Sequence, residues 1–489
     1  MQTSRKKIAI VGGGTAGWMT AAALSKVLPQ EQYSITLIES AEIATVGVGE
    51  ATIPPIESFN NLLGINRQEF LKATNGTFKL GIEFINWGKI GDSYYHPFGN
   101  YGADFNNLPF YHYWQKARAA GTAKRLEQYS ITAQMAIQKR FTPAQNIANS
   151  PLAQIQHAYH FDATLYANYL RKLAEAKGVV RVEDSVKQVI QNPTTGFIET
   201  LKTEKTDDIH ADFFIDCTGF AGLLIDKTLN TGYQNWEEYL PCDSAKAVPC
   251  SRTTPLASHT KAIAHGFGWQ WKIPLQHRMG NGYIYSSKFL TDESAEETLL
   301  ANIEGEPLGE PRQLRFTPGK RIKAWNKNCL AIGLSSGFLE PLESTSIHLI
   351  QSSISKFISL FPNFNNFEYE HRQFNKLADN QIDSIRDFII LHYKITERED
   401  TEFWRYCKNM AIPDSLTEKI ELYKNTGHLT RENNELFSEN SWLSVLEGQG
   451  QQCAQFNPLT HSSSDENLSL QLNEIEKVIQ QCAAKAPRQ

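Results

Sequence analysis

Residues 6–28, KKIAIVGGGTAGWMTAAALSKVL, hold an apolar run, a cluster of glycines and a helical apolar pattern carrying Met19, Ala22, Leu24 and Leu28. A strand over 7–11 that turns at once into a helix needs residues without side chains at the turn, and Gly12, Gly14 and Gly17 stand there in G-x-G-x-x-G spacing. A second apolar segment, YSITLIE at 33–39, completes a βαβ unit and ends in an acid, Glu39. This order commits the chain to an α/β fold. Gly12, Gly14, Thr15, Ala16 and Gly17 would bring backbone amides to a pyrophosphate at the helix start, and Glu39 is placed to bind a ribose hydroxyl pair. The motif leaves open which dinucleotide is bound.

The chain of 489 residues is long enough for several domains or for one large α/β unit with insertions. Its 48 basic and 53 acidic residues give a formal charge of −5 without a basic block to follow a phosphate backbone, so nucleic acid is not an expected partner. Seven cysteines with no C-x-x-C pair fit neither a disulfide framework nor a zinc site, and no metal is expected. The apolar run before the first glycines is too short for a signal peptide, and no window is long and apolar enough to span a bilayer. The expectation is a soluble, cytoplasmic protein with no membrane partner.

Two later segments, ADFFIDCTGFAG at 211–222 and NCLAIGLSSGFLEPLEST at 328–345, each run an apolar strand into a small-residue turn. Two such returns to the nucleotide site point to FAD, and place Gly333 and Leu334 beside it. Strand-rich segments lie between them, including FKLGIEFINWG at 78–88 and GWQWKIPL at 268–275, and beyond about 365 the pattern is mostly helical. The expected organisation is a nucleotide-binding module over 1–365 with inserted substrate-side strands, and a helical substrate-binding region over 366–489 packed with it as one unit.

Four features are candidates for chemistry. In FLEPLESTSIHLI at 338–350, a helix carrying Ile347, Ile350, Ile354, Phe357 and Ile358 begins after Glu343, with Ser344 near the N-cap. The amides of Thr345 and Ser346 would favour an anion there, or serve ordinary capping by Ser344 with Glu343 as a first-turn acid. Alternation over 78–84 puts Lys79 opposite Phe78, Leu80, Ile82 and Phe84, the pattern of a solvated strand lysine. GWQWKIP sets Trp269, Trp271 and Ile273 on one strand face, as core. YYHPFGNYG at 94–102 reads as an aromatic loop with His96 and Phe98, and Trp442 precedes a glycine-punctuated turn; both suit a flat apolar ligand or packing under loops. The polar stretch 457–470 reads as a surface linker.

Together these residues resemble the flavin-dependent tryptophan halogenases: G-x-G-x-x-G at 12–17, GVGEAT at 47–52, the lysine of FKLG at 79, W-x-W-x-I-P at 269–274 and F-x-x-P-x-x-S from Phe338. The resemblance runs to about Gly450. It implies an FAD-binding fold of the p-hydroxybenzoate hydroxylase type with strand-rich insertions and a helical C-terminal region. It also implies FADH2 supplied by a separate flavin reductase, chloride or bromide as co-substrate, and hypohalous acid that reaches Lys79 to halogenate an aromatic ring, with Glu343 taking the ring proton. Gly47, Val48, Gly49, Glu50, Ala51 and Thr52 would form a strap over the flavin, Thr345 and Ser346 the halide site, and Ser344 the join to the substrate side. His96 and Phe98, opposed by Trp442, would hold an indole. A homodimer is compatible with this reading.

Two departures stand out. Ser346 occupies the place of the family's glycine at the halide site, which raises bromide preference as an expectation. NNELFSEN at 433–440 lacks the tyrosine pair near the amino-acid backbone, so a simple indole or a peptide tryptophan is expected at least as much as free tryptophan. The alternatives are a flavin-dependent aromatic monooxygenase that reduces its own FAD, and an inactive FAD- or indole-binding protein.

Overall fold

The computed structural model describes residues 5–40, 49–253, 255–364, 366–432 and 435–488. The chain folds as two compact units, each assembled from three passages: 1–76, 161–237 and 315–382 make the first, and 77–160, 238–314 and 383–489 the second.

The first unit is built on a six-stranded sheet. Lys6–Val11 lies in its middle, parallel to Tyr33–Glu39 on one side and Phe213–Asp216 on the other, and Cys329–Ala331 continues beyond in parallel. Ile8, Ile10, Leu37, Phe213, Phe214 and Leu330 are buried, so these strands read as near-continuous apolar runs, as covered parallel strands must. Thr15–Val27 packs against Ala163–Ala176 and Ser346–Ser359. Chain order reverses at the first strand, which brings the carboxyl ends of three strands, and the turns after them, to one place.

The second unit is a mixed sheet in which Ser244–Cys250, Met279–Tyr285, Gly268–Pro274, Thr260–His265, Gly81–Ile85 and Ser93–Pro97 lie side by side in that order. All neighbours are antiparallel except Thr260–His265 and Gly81–Ile85. Opposite Trp271 and Ile273 stand Gly282 and Gly280, and a Cβ on Gly282 would lie 1.9 Å from the Trp271 ring. The alternate glycines of MGNGYIY are therefore the space into which W-x-W-x-I-P packs. Helices Ile131–Ile137 and Asp465–Lys485 close a separate core with Leu80, Phe141 and Ile155.

Three local readings are corrected. The alternation over 78–84 is two strands, Thr77–Lys79 and Gly81–Ile85, because Leu80 leaves both ladders to donate its amide to Ser258 O. The expected loop at 94–102 starts as strand Ser93–Pro97. The expected linker at 457–470 holds a 3₁₀ turn at Pro458–Ser462, and the last helix begins at Asp465, capped by Ser464. No described helix is long and apolar enough to cross a membrane.

Candidate functional site

In the first unit, backbone crowding explains the glycines one by one. Gly12 has φ +109, and a Cβ there would stand 2.3 Å from Cys217 O; one on Gly17 would stand 1.9 Å from Gly12 O. These two let the turn close against the third strand and the helix against the first. Gly14 differs, since among the described residues nothing lies within 4 Å of its added Cβ and no side chain caps the helix that follows. An approachable backbone at an uncapped helix start fits a pyrophosphate. Glu39 overhangs Gly13, accepts from Trp18 Nε1 at 3.3 Å and pairs with Arg181.

The two returns are tied to this turn. Asp216, fully buried, accepts from the amides of Thr218, Leu224 and Ile225, fixing the chain after the third strand. Ser335 Oγ donates to Asp216 O at 2.5 Å and so joins the second return to the first. Gly333, with φ +79, has room for no more than hydrogen, because its Cβ would meet Ala16 Cβ at 2.9 Å; Leu334 follows in the same 3₁₀ turn. Ala51 and Thr52 are buried, and burial pushes the Glu50 carboxyl up to about 7. Gly47 and Val48 lie outside the described residues, as does the side-chain environment of Gly49. The residues present fit a dinucleotide bound across the returns.

The junction at 338–350 is not a capped helix start. Pro341–Glu343 is a 3₁₀ turn, Ser344 sits in the left-handed region at φ 59, and Thr345 takes the N-cap position of Ser346–Ser359 without a side-chain capping bond. Ser344 therefore spends about 1–2 kcal/mol on backbone conformation rather than capping. Glu343 belongs to the preceding turn and is 1% exposed, whereas a first-turn helper acid would face solvent. The Thr345 hydroxyl is buried with no hydrogen-bond partner among the described residues, at the start of a helix that no described side chain caps. Hydroxyl, amides and dipole together suit a small anion. Ser346 is partly exposed beside them.

In the second unit the lysine expected to be solvated is fully buried: Lys79 is 0% exposed. Its strand pairs with Ala158–Asp162 in the register Thr77↔His160 and Lys79↔Ala158. Phe78, on the opposite face, stacks on Phe141 at 3.7 Å. The Lys79 ammonium lies 5.3 Å from the centre of the Phe98 ring. Phe98 is itself fixed at both ends of its peptide unit, its amide donating to Leu80 O at 2.8 Å and its carbonyl accepting from Thr132 Oγ1 at 2.6 Å. Gly81 permits this approach, because a Cβ there would stand 2.5 Å from His96 O. Alternation could not show the burial, since the covering residues come from distant passages.

His96 and Trp442 are also buried, and on regular elements rather than loops. Trp442 is in helix Glu439–Gly448 and His96 in strand Ser93–Pro97. Phe388 and Phe437, absent from the sequence reading, stand between them. Phe437 stacks on Phe388 at 3.8 Å, Trp442 meets Phe388 edge-on at 5.0 Å, and His96 is 5.8 Å from Phe388. The available signal was Phe437 itself, in NNELFSEN at 433–440. Lys419 lies 4.7 Å over the Trp442 ring and is bound by both carboxylate oxygens of Glu435 at 2.6 Å. The Trp442 indole nitrogen is buried without a partner among the described residues. No cluster of three metal-ligating side chains occurs among the described residues.

Residues 7–465 match the family described as Tryptophan halogenase. The chain is 36% identical over 440 residues to tryptophan 6-halogenase SttH of Streptomyces toxytricini, covering 86% of this chain and 84% of that protein. Among solved structures it resembles Xcc4156, a flavin-dependent halogenase from Xanthomonas campestris, at 44% identity and a TM-score of 0.95 over 99% of this chain and 97% of that one. BrvH, a flavin-dependent halogenase from Brevundimonas sp. BAL3, aligns at 41% identity with the same TM-score of 0.95, over 99% of this chain and 97% of its own.

Proposed function

The chain belongs to the tryptophan halogenase family, and from that premise we propose that it halogenates an indole, free or within a peptide, with Lys79 and Glu343 as its catalytic residues. FAD, bound in reduced form, supplies the electrons with which oxygen converts a halide to hypohalous acid. The turn Gly12–Gly17 binds the pyrophosphate through its amides, and Glu39 exchanges its pairing with Arg181 for the ribose hydroxyls. Gly333 and Leu334, with Ala51 and Thr52, hold the other half. Thr345 and Ser346 bind the halide; the orphaned Thr345 hydroxyl supports this, and the extra side chain of Ser346 favours the larger bromide.

Lys79 receives the hypohalous acid. Its amine holds the electrophilic halogen by hydrogen bonding or as a haloamine, in a fixed place and away from water. Glu343 stabilises the positive charge on the ring and accepts the proton displaced by halogen. The observation that supports the reading is the complete burial of Lys79 against Phe98, because burying an ammonium is costly. At Trp442 the cation over the ring, Lys419, is already held by Glu435. The carboxylate of a free amino acid gains nothing there, which favours a substrate without one.

The test is incubation with a flavin reductase, FAD, NADH and bromide or chloride, against indole, an indole-containing peptide and free tryptophan, with products read by mass. The expected outcome is brominated indole or peptide in excess of brominated tryptophan, and no NADH consumption without the reductase. Oxygenated product, or NADH oxidation by the protein alone, contradicts the proposal.

A further inference from the structure

The W-x-W-x-I-P motif has so far accounted only for packing, and one buried histidine in the second unit, His160, has had no part in the chemistry. A short hydrogen-bonded chain joins the two. Thr77 Oγ1 donates to Pro274 O, the last carbonyl of the motif, at 2.6 Å. A carbonyl can only accept, so the single hydroxyl proton of Thr77 is spent there. At His160 Nδ1, 3.0 Å away, Thr77 Oγ1 must therefore accept, and the proton sits on Nδ1. Nε2 then carries a lone pair, and the Thr260 hydroxyl at 2.9 Å donates to it. Neutral His160, with no exposed surface, is thus satisfied at both nitrogens in one tautomer.

The chain of bonds holds the strand that carries Lys79. Thr77 and Lys79 are alternate residues of one strand and share a face, and His160 stands opposite Thr77 in the ladder. Three-residue strands are held weakly by their own ladders, so side-chain ties decide their position. Pro274, His160 and Thr260 anchor the face that carries the ammonium, while Phe141 holds Phe78 behind it. Burial, the charge of Lys79 and that of His259 all hold the His160 imidazole well below its ordinary range. His259 is in turn paired with Glu83, which also faces Lys261 and Tyr95.

We propose that His160, locked as the Nδ1–H tautomer between Thr77 and Thr260, is the residue that positions Lys79 for halogen transfer, with Pro274 of W-x-W-x-I-P as its anchor. This rests on the reading of Lys79 as the catalytic amine. Mispositioning the amine leaves hypohalous acid formation intact and lets the oxidant escape, whereas general damage to the fold lowers both.

The experiment compares wild type with His160→Phe, His160→Asn, Thr77→Val and Lys79→Ala, each with reductase, FAD, NADH, bromide and indole. Brominated product and the hypobromous acid captured by a soluble scavenger are measured together. His160→Phe and Thr77→Val are expected to lower kcat for product about 10- to 100-fold with KM nearly unchanged, while captured hypobromous acid rises. His160→Asn, which keeps a donor near Thr77, is expected to recover most of the loss. If both His160→Phe and Thr77→Val keep product within about 2-fold of wild type, or lose product and captured oxidant in parallel, the inference is overturned. Should His160→Phe fail to fold, Thr77→Val decides alone by the same two criteria. Lys79→Ala separates the two claims: if it retains product, the catalytic reading fails. If it loses product while releasing oxidant and the His160 and Thr77 variants behave as wild type, only the positioning role fails.

Discussion

The two units make their sites from opposite materials. In the first, the site is backbone: Gly12 and Gly17 close the turn by lacking side chains, Gly14 leaves its amide approachable, and Gly333 fits under Ala16. In the second, the site is side chains filling every place: Lys79 against Phe98, Phe78 on Phe141, Phe388 between His96 and Trp442. A backbone site binds a cofactor whose phosphates and ring edges need only donors and room. A side-chain site of this kind suits the proposed task of holding a reactive halogen away from water beside one carbon of a ring. The difference teaches where damage will show: substitutions in the glycine turns of the first unit should remove oxidant and product together, and substitutions around Lys79 in the second should separate them.

The largest effect that could break this division is expected from Gly17→Val. Its branched side chain has no space beside Gly12 O, where even a Cβ would stand at 1.9 Å. FAD binding, followed by fluorescence, should be lost, and with it both hypohalous acid and halogenated product. Retained FAD binding would show that the turn is not the pyrophosphate site. Glu343→Gln keeps the shape of the buried carboxyl and removes its basicity. Product formation is expected to fall about 10²- to 10⁴-fold while captured hypohalous acid persists. Because Glu343 belongs to the first unit, this variant sharpens the comparison by asking whether a carboxylate there acts on the second unit's chemistry.

A smaller effect is expected from pH. His160 has a folded-state pKa below its unfolded value of 6.5, so acid favours the unfolded chain, which binds the proton more readily. The stability that neutral His160 contributes is present above 6.5 and is lost as pH falls below it. Thermal melting of His160→Phe should therefore be less sensitive to pH below 6.5 than that of wild type, and an unchanged slope would contradict burial of His160 as a neutral imidazole. Smallest is Ser346→Gly, expected to shift the bromide-to-chloride product ratio a few-fold toward chloride in a competition with equal halides; an unchanged ratio would remove Ser346 from the halide site.

The same contrast governs what could be read from the sequence. The first strand, the glycine turn and the second strand at Tyr33–Glu39 are found where their spacing puts them, because glycine geometry and a parallel buried strand are local properties. Lys79 reads as a solvated residue because alternation reports only that it faces away from Phe78. Its surroundings come from distant positions: Phe98 lies against the ammonium, and the neighbouring Thr77 is tied to His160 and Pro274. Trp442 and His96 read as loop aromatics for the same reason, and Phe388 was hidden in a helix with no motif. Ser344 misled differently: a serine before an apolar helical pattern signals an N-cap, yet the chain uses it at φ 59 to turn between Glu343 and the helix. Lys79 and Glu343 were singled out for chemistry only through resemblance, and the contacts that bury them were not legible.

One measurement bears most directly on the central claim that Lys79 carries the halogen. Lys79→Ala, loaded with FAD and supplied with reductase, NADH, oxygen, bromide and indole, is assayed for brominated indole and for hypobromous acid caught by a scavenger. The account expects wild-type FAD binding, scavenger bromination at or above the wild-type level, and brominated indole reduced to what free hypobromous acid gives in solution. Enzyme-dependent, regioselective bromination of indole by Lys79→Ala at a rate near wild type would contradict it.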